Sequence, residues 1–235
     1  MPLAGEALAF RVASSTLDMN INILKSKWQK LLEPFQVELS VNQRIFFDLV
    51  TAYSTVDRFY HTLNHIDHIL ETLENLKLVA IDFSVIQLAA WFHDVIYNPK
   101  FQDNEDKSAE YAEVVLTELS IPLATIARVK TLILSTKTHQ APPDDIDCQI
   151  LLDADLAILG APASEYKAYS MAIRQEYSWI PDREYRWGRK QVLDKFLQRN
   201  RIYYTSVLFL ALEEKARHNL QGEIGDLGGS VSQFT

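Results

Sequence analysis

Apolar residues recur at helical spacing along almost all of this 235-residue chain, and strand-like alternation is scarce. Leu24, Trp28 and Leu31, for example, differ by three or four positions and therefore share one face of a helix. Only 7 glycines interrupt the chain, and four of them fall between Gly222 and Gly229. The pattern predicts an all-α fold.

The apolar periodicity and the prolines predict a series of helices in one domain. The expected bounds are about 20–32, a helix capped by Ser40, 56–76, 83–96, helices that start at Asn104 and Pro122, then 150–159, 163–178, 182–198 and 202–220. No linker divides 20–221, so we expect a single helical bundle with additional C-terminal helices. Residues 1–19 lack a clear pattern and are expected to be flexible, and the polar, glycine-rich residues 222–235 to be disordered.

Charge and cysteine content disfavour several classes of protein. The net charge of −8 argues against nucleic acid as the main partner, because that requires a basic surface. Cys148 is the only cysteine, which excludes an internal disulfide and a cysteine-rich zinc site. No signal-peptide pattern is evident, and no apolar stretch reaches the roughly 18 residues needed to cross a bilayer. We therefore expect a cytoplasmic protein.

The dipeptide His93-Asp94 ends an apolar run over 85–92, where polar residues are costly to bury. A helix C-terminus would favour a histidine but disfavour an aspartate, so helix electrostatics explain only half of the pair. A metal ion could use both side chains, because imidazole nitrogen and carboxylate oxygen are both metal ligands. We therefore interpret the pair as part of a metal site.

Further candidate ligands lie before and after this pair. The segment 58–68 contains His61, His65 and His68, and His65 is favoured as a ligand because its neighbours are apolar. Asp153 and Asp155 occupy an apolar helix and need a partner if they are buried. They point about 200° apart on a helix, so only one should be a direct ligand and the other a cap or a supporting acceptor.

Two histidines and two aspartates from three helices would form a site with two nitrogen and two oxygen ligands. This set suits one divalent transition metal, namely Mn, Fe, Co, Ni or Zn, and suits Mg less well. Positions not taken by protein would remain for water and substrate. A bound water with a lowered pKa is a nucleophile at neutral pH.

The ordered set His65, His93-Asp94 and Asp155 on a helical background resembles the HD-domain superfamily of metal-dependent phosphohydrolases. The segments YHTLNHI, WFHDVIYNP, NEDKSAEYA, LLDADLAILG, IRQEY and GRKQVLDKFL resemble a branch of predicted HD phosphohydrolases with unassigned substrate. The resemblance covers about 20–221 and implies His65, His93, Asp94 and Asp155 as the metal ligands. It also implies hydrolysis of a small phosphorylated molecule, with nucleotides among the candidates, and leaves the oligomeric state open.

Other polar residues are candidates for proton transfer or substrate binding. Glu105 could act as general base or acid or orient water, with Asp106 a weaker candidate, although acids in a first helical turn also stabilise the helix dipole. His61 could bind phosphate or donate a proton. His139 could contact substrate, because some HD-domain enzymes carry an additional histidine near this point.

Basic and aromatic side chains offer further substrate contacts. Lys137 is one candidate, and Arg186 and Arg189 share a helix face and could clamp a phosphate, although solvated surface charge is the favoured interpretation. Aromatic residues that could stack a base, but are favoured as core residues, are Tyr177, Trp179, Tyr185 and Trp187.

The sequence therefore predicts a metal-dependent phosphohydrolase and leaves two alternatives. An HD-fold di-iron oxygenase would need two further histidines between Asp94 and Asp155, where this chain has only His139. A non-catalytic module that binds metal and ligand is the second alternative.

Overall fold

A computed structural model describes residues 20–228, which are helical and contain no β-strand. The α-helices are 20–32 (α1), Leu39–Ala52 (α2), Leu63–Leu76 (α3), Phe83–Phe92 (α4), Asn104–Glu118 (α5), Leu123–Thr136 (α6), Ile146–Asp155 (α7), Ala163–Glu176 (α8), Asp182–Leu197 (α9) and Ser206–Gly228 (α10). Short 3-10 helices occupy Glu33–Phe35, Lys77–Val79 and Leu156–Gly160. The predicted all-α fold is confirmed for this part of the chain, and none of its helices is long and apolar enough to cross a membrane.

Helix α4 lies at the centre of the fold because eight of its ten residues are apolar and only Ser84 and Gln87 are polar. Its buried residues are Val85, Ile86, Leu88, Ala89, Ala90, Trp91 and Phe92. Helices α3, α5, α6 and α7 all pack against it. A helix that is hydrophobic all round must be enclosed by other elements. The polar residues that directly follow α4 are therefore held in the interior.

Aromatic contacts fix the last turn of α4. Trp28 of α1 meets the ring of Trp91 edge-on at 5.5 Å and that of Phe92 at 6.1 Å. Tyr53, just after α2, donates its hydroxyl to the Trp91 carbonyl oxygen at 2.9 Å. Such edge-on pairs contribute about 0.5–1.5 kcal/mol each beyond the area that they bury. One cluster of buried side chains extends from Leu24 in α1 to residue 220 in α10.

The predicted helix over 56–76 is wrong in its first turns, because α3 begins only at Leu63. The preceding segment is an irregular loop held by two charged side chains. Arg58 donates to the carbonyl oxygens of Asp94 and Val95 at 2.7 and 2.9 Å. Glu176 accepts the backbone N–H groups of residues 59–61. These tertiary bonds replace the local bonds that a helix would have made.

The predicted start of α2 is also wrong, because the N-cap of this helix is residue 38 rather than residue 40.

The helix predicted over 150–159 begins four residues earlier, at Ile146, and its last part is a 3-10 helix rather than an α-helix. Helix α7 begins at Ile146, where Asp145 caps it by accepting the N–H of Cys148 at 3.0 Å, and a 3-10 helix follows from Leu156. This 3-10 helix ends at Gly160, against α10. A Cβ atom at Gly160 would lie 2.6 Å from the Cβ of Leu212, so glycine is required for this close approach.

The predicted disorder over 222–235 is wrong for residues 222–228, because α10 continues through Gly228. Side chains of α9 hold these last turns. Arg189 pairs with Glu223 at 2.8 Å, and Arg186 donates to the carbonyl oxygens of Asp226 and Leu227 at 3.2 and 3.1 Å. Since a helix C-terminus leaves carbonyl groups unpaired, these donors offset the low helix propensity of the glycines. The flexibility expected for 1–19, and the rest of the predicted tail at 229–235, lie outside the described residues.

Asp153 anchors the start of α10 to α7. The side chain is fully buried; it accepts the N–H groups of Tyr204 and Thr205, each at 2.7 Å, and the Thr205 hydroxyl, also at 2.7 Å. Burial raises the pKa of Asp153 to about 6, although these hydrogen bonds oppose that shift. The predicted supporting role of one of the two aspartates therefore belongs to Asp153.

Replacement of Asp153 by asparagine should reduce the free energy of unfolding by about 2 kcal/mol, because an amide nitrogen would then face backbone N–H donors. Urea unfolding measures the difference. Asp144→Asn, at an exposed position, is the matched control and should change stability by less than about 0.5 kcal/mol. Equal stability of Asp153→Asn and the wild type would refute the anchoring role.

Candidate metal centre

Three side chains from separate parts of the fold converge at one point. His65 lies in α3, His93 directly follows α4, and Asp155 ends α7. Their ligand atoms lie within 4.8 Å of one another, and the group could hold a metal ion. The Nε2 atoms of His65 and His93 are 3.3 Å apart, and Asp155 Oδ1 lies 3.3 Å from the first and 3.6 Å from the second.

Asp94 adds a second carboxylate to this group. Its Oδ2 atom lies 3.0 Å from the Nε2 atom of His93 and 3.7 Å from that of His65. The predicted helix over 83–96 ends at Phe92, so His93 and Asp94 occupy a turn. Adjacent side chains that would diverge by about 100° within a helix can converge here. The four residues predicted as ligands are therefore together.

Hydrogen bonds set the tautomer of His93. Its Nδ1 donates to the carbonyl oxygen of Ala90 at 2.9 Å, so in the neutral ring the lone pair is on Nε2, which faces the cluster. Metal-bound histidines commonly donate their other ring nitrogen in this way. His93 is thus oriented as a ligand before any ion binds.

The electrostatics of the cluster favour a cation. Burial acts to lower the pKa of His93, but the carboxylates of Asp94 and Asp155 outweigh it and raise that pKa well above its usual value. Burial lowers the pKa of His65, with Asp155 opposing the shift. Two partly buried acids facing two buried imidazoles form a donor set that fits a divalent transition metal.

Helix geometry separates the two aspartates of α7. Asp155 faces the histidines, whereas Asp153 points to α10, as the spacing of about 200° predicted. His139, predicted to contact substrate, lies beside Asp155, with Nε2 2.9 Å from Oδ2. Its backbone has φ of 49°, an uncommon left-handed conformation, and its carbonyl oxygen accepts the Tyr204 hydroxyl at 3.2 Å. His139 therefore holds the second oxygen of Asp155.

His61 lies beside the cluster and is oriented by Glu176. Its Nδ1 is 2.7 Å from Glu176 Oε2, its Nε2 is 4.0 Å from Asp94 Oδ2, and its ring stacks on Tyr97 at 4.1 Å. The loop before α3, rather than the helix predicted over 56–76, brings His61 here, and its ring lies 5.7 Å from that of His65.

Sequence reasoning missed Glu176. Its Oε1 accepts the backbone N–H groups of Phe59, Tyr60 and His61 at 2.8, 2.8 and 3.0 Å, and its Oε2 accepts the Tyr97 hydroxyl at 2.8 Å. Burial acts to raise the pKa of Glu176, but His61 and the backbone donors lower it to about 2. The IRQEY segment contains this residue, but nothing in its spacing links residue 176 to residues 59–61.

The four candidate ligands His65, His93, Asp94 and Asp155 are referred to below as the metal cluster. A cavity of about 660 Å³ opens beside them and is lined in part by His93, Asp94 and Asp155. Of the predicted substrate residues, Glu105, Lys137, His139 and Arg189 line it, as does His61. Tyr177 and Tyr185 also line it, whereas Trp179 and Trp187 do not and are 48% and 70% exposed.

The predicted phosphate clamp of Arg186 and Arg189 is not formed. Arg186 is outside the cavity lining and is paired with Asp182 at 2.7 Å. Arg189 lines the cavity but makes two hydrogen bonds to Glu223, at 2.8 and 3.1 Å. The two side chains share a helix face, as predicted, but both serve to hold α10.

Comparison with known proteins identifies no relative. No family model, curated protein or solved structure matches the chain. The resemblance to HD-domain enzymes therefore stays a prediction.

Replacement of His65 by alanine should remove most of the bound metal, because one of two buried nitrogen ligands is lost. Elemental analysis after loading with Mn, Fe, Co, Ni or Zn measures the content. The control is His68→Ala, three residues later on α3 and exposed, which should bind metal as the wild type does. Equal metal content in the two variants would refute the predicted site.

Glu176→Gln should destabilise the protein by about 3 kcal/mol at neutral pH, as the lowered pKa implies. Because folding lowers this pKa, ionised Glu176 stabilises the wild type above pH 4.5, and that contribution is lost as the pH falls toward about 2. The difference in unfolding free energy between wild type and variant should shrink over this interval.

Urea unfolding at several pH values tests this dependence. Glu165→Gln, an exposed acid on the same helix α8, is the control and should show no such convergence. A constant difference between Glu176→Gln and the wild type would contradict the assigned role.

Proposed function

We propose that the protein is a metal-dependent phosphohydrolase acting on a small phosphorylated molecule, and that it belongs to the HD-domain superfamily. The observation that carries the proposal is the convergence of His65, His93, Asp94 and Asp155 at the base of a cavity large enough for a small substrate. The proposed ligands are these four residues.

A divalent cation held there would supply Lewis acidity, lowering the pKa of a water and polarising a phosphoryl oxygen. The chain itself keeps the site preorganised: Ala90 fixes the ring of His93, and His139 fixes Asp155. Such fixed orientation is a principal source of catalytic efficiency in metal enzymes.

Two residues are proposed to transfer protons in this reaction. His61 directs Nδ1 to Glu176, so in the neutral form its Nε2 is the acceptor atom and faces the cavity beside Asp94. This nitrogen would take a proton from an attacking water or return one to the leaving oxygen. Glu105, which also lines the cavity, is the second proposed group.

Lys137 and Arg189 are the basic side chains of the cavity lining. Lys137 lies in an exposed ion pair with Asp106, at 2.6 Å. Arg189 is held by Glu223 and is proposed as a structural residue. The proposed phosphate site thus depends mainly on the metal cluster.

The wild type loaded with metal should release phosphate from phosphomonoesters, and Asp94→Ala should lose about 100-fold or more of that activity. The control Asp57→Ala removes an exposed carboxylate from the loop before α3 and should keep full activity. Phosphate release and metal content are measured on the same samples. Metal-loaded wild type that hydrolyses no phosphate ester would refute the proposal, and two irons per chain would favour the di-iron alternative.

A further inference from the structure

Both basic side chains that line the cavity already have carboxylate partners. Lys137 Nζ lies 2.6 Å from Asp106 Oδ2, and Arg189 donates twice to Glu223 from a side chain that is only 8% exposed. Tyr166 also donates its hydroxyl to Glu223, which further fixes that carboxylate. Neither cation is available without loss of an existing ion pair.

Carboxylates outnumber lysine and arginine side chains in the lining. The carboxylates are Asp94, Glu105, Asp155 and Glu184, against the two paired cations. The three histidines of the lining also face carboxylates: His93 faces Asp94, His61 faces Glu176 and His139 faces Asp155. A divalent ion at the metal cluster would offset the charges of Asp94 and Asp155 and would leave coordination positions for one phosphate group. A second or third phosphate would meet Glu105 and Glu184 rather than unpaired donors, and like charges in a confined site are repulsive.

Aromatic side chains flank the metal cluster itself. The ring of Tyr60 lies 4.7 Å from that of His65, Tyr97 stacks on His61 at 4.1 Å, and Phe196 lies 6.1 Å from His139. An organic group attached to a phosphate at the metal cluster would therefore lie directly against these aromatic rings. Aromatic walls stack flat rings and bury apolar area.

The remainder of the cavity continues this apolar surface. Its side chains come from the loop before α5, from α8 and from α9, and they include Phe101, Ile173, Tyr177, Tyr185, Val192 and Leu193. Ligand sites commonly combine such a surface with a few polar groups that fix orientation. The same parts of the chain also contribute the polar lining residues Gln102, Glu184 and Arg189.

We infer that the ligand of this cavity is a phosphomonoester of an aromatic or largely apolar alcohol, with a single phosphate group. The reaction in this inference rests on the proposed function. The class of ligand rests on the side chains that line the cavity. The phosphate occupies the metal end, and the organic group lies against the rings of α8 and α9.

Two matched pairs of compounds test the two halves of the inference. 1-Naphthyl phosphate and glycerol 1-phosphate differ in the organic group, and adenosine monophosphate and adenosine triphosphate differ in phosphate number. With metal bound, kcat/KM should be about tenfold or more higher for the first member of each pair. Equal values within both pairs would overturn the inference.

Binding without turnover provides a second measurement. Calorimetry on the metal-free protein should show binding of 1-naphthol, which carries no phosphate and so reports on the aromatic wall alone. Val192→Asp introduces a carboxylate at a cavity position that is 44% exposed, and should weaken this binding about tenfold. Met171→Asp introduces the same charge at an exposed position outside the lining and should leave binding unchanged.

A third variant tests the charge argument. Asp106→Asn removes the carboxylate partner of Lys137, which lines the cavity. The ratio of kcat/KM for adenosine monophosphate to kcat/KM for adenosine triphosphate should then fall about threefold. An unchanged ratio would contradict the role assigned to that ion pair.

The outcomes separate the inference from the proposed function. Absence of hydrolysis together with 1-naphthol binding that Val192→Asp weakens would refute the phosphohydrolase and support the ligand class. Hydrolysis that favours glycerol 1-phosphate or the triphosphate would support the phosphohydrolase and overturn the ligand class. Absence of both hydrolysis and binding would refute both.

Discussion

The burial of α4 is the constraint on which the rest of the structure depends. Seven of its ten residues are buried, so the helix has to be enclosed, and the helices around it include those that carry the other candidate ligands. His65 comes from α3 and Asp155 from α7, both of which pack on α4. Packing of α3 and α7 on α4 therefore also brings the candidate ligands together. A metal ion at the cluster would in turn stabilise the packing of these helices.

Loops near the cluster are held by buried charges rather than by local structure. Arg58 and Glu176 together bind backbone groups of the loop before α3 and of the turn after α4. Each side chain has several partners, so its desolvation cost is offset by directional bonds. His61 gains its position from this arrangement, and its place beside Asp94 follows from tertiary contacts.

Local periodicity was sufficient to predict the helices and part of the site. It predicted the all-α fold, and the angular separation of Asp153 and Asp155 followed from helical geometry alone. Periodicity could not predict the loop at residue 58 or the continuation of α10 through its glycines, because both depend on partners more than thirty residues away. Glu176 was missed for the same reason, since its partners lie 79 to 117 residues earlier.

Helix α10 determines the charge of a cavity to which no described residue of that helix contributes lining. Glu223 of α10 forms an ion pair with Arg189 of α9 and neutralises its charge. Arg189 does line the cavity. A chain that ended before Glu223 would expose an unpaired guanidinium to any ligand in the cavity. The charge that a ligand meets at this wall therefore depends on a distant helix end, where it could change in evolution without alteration of the residues that line the cavity.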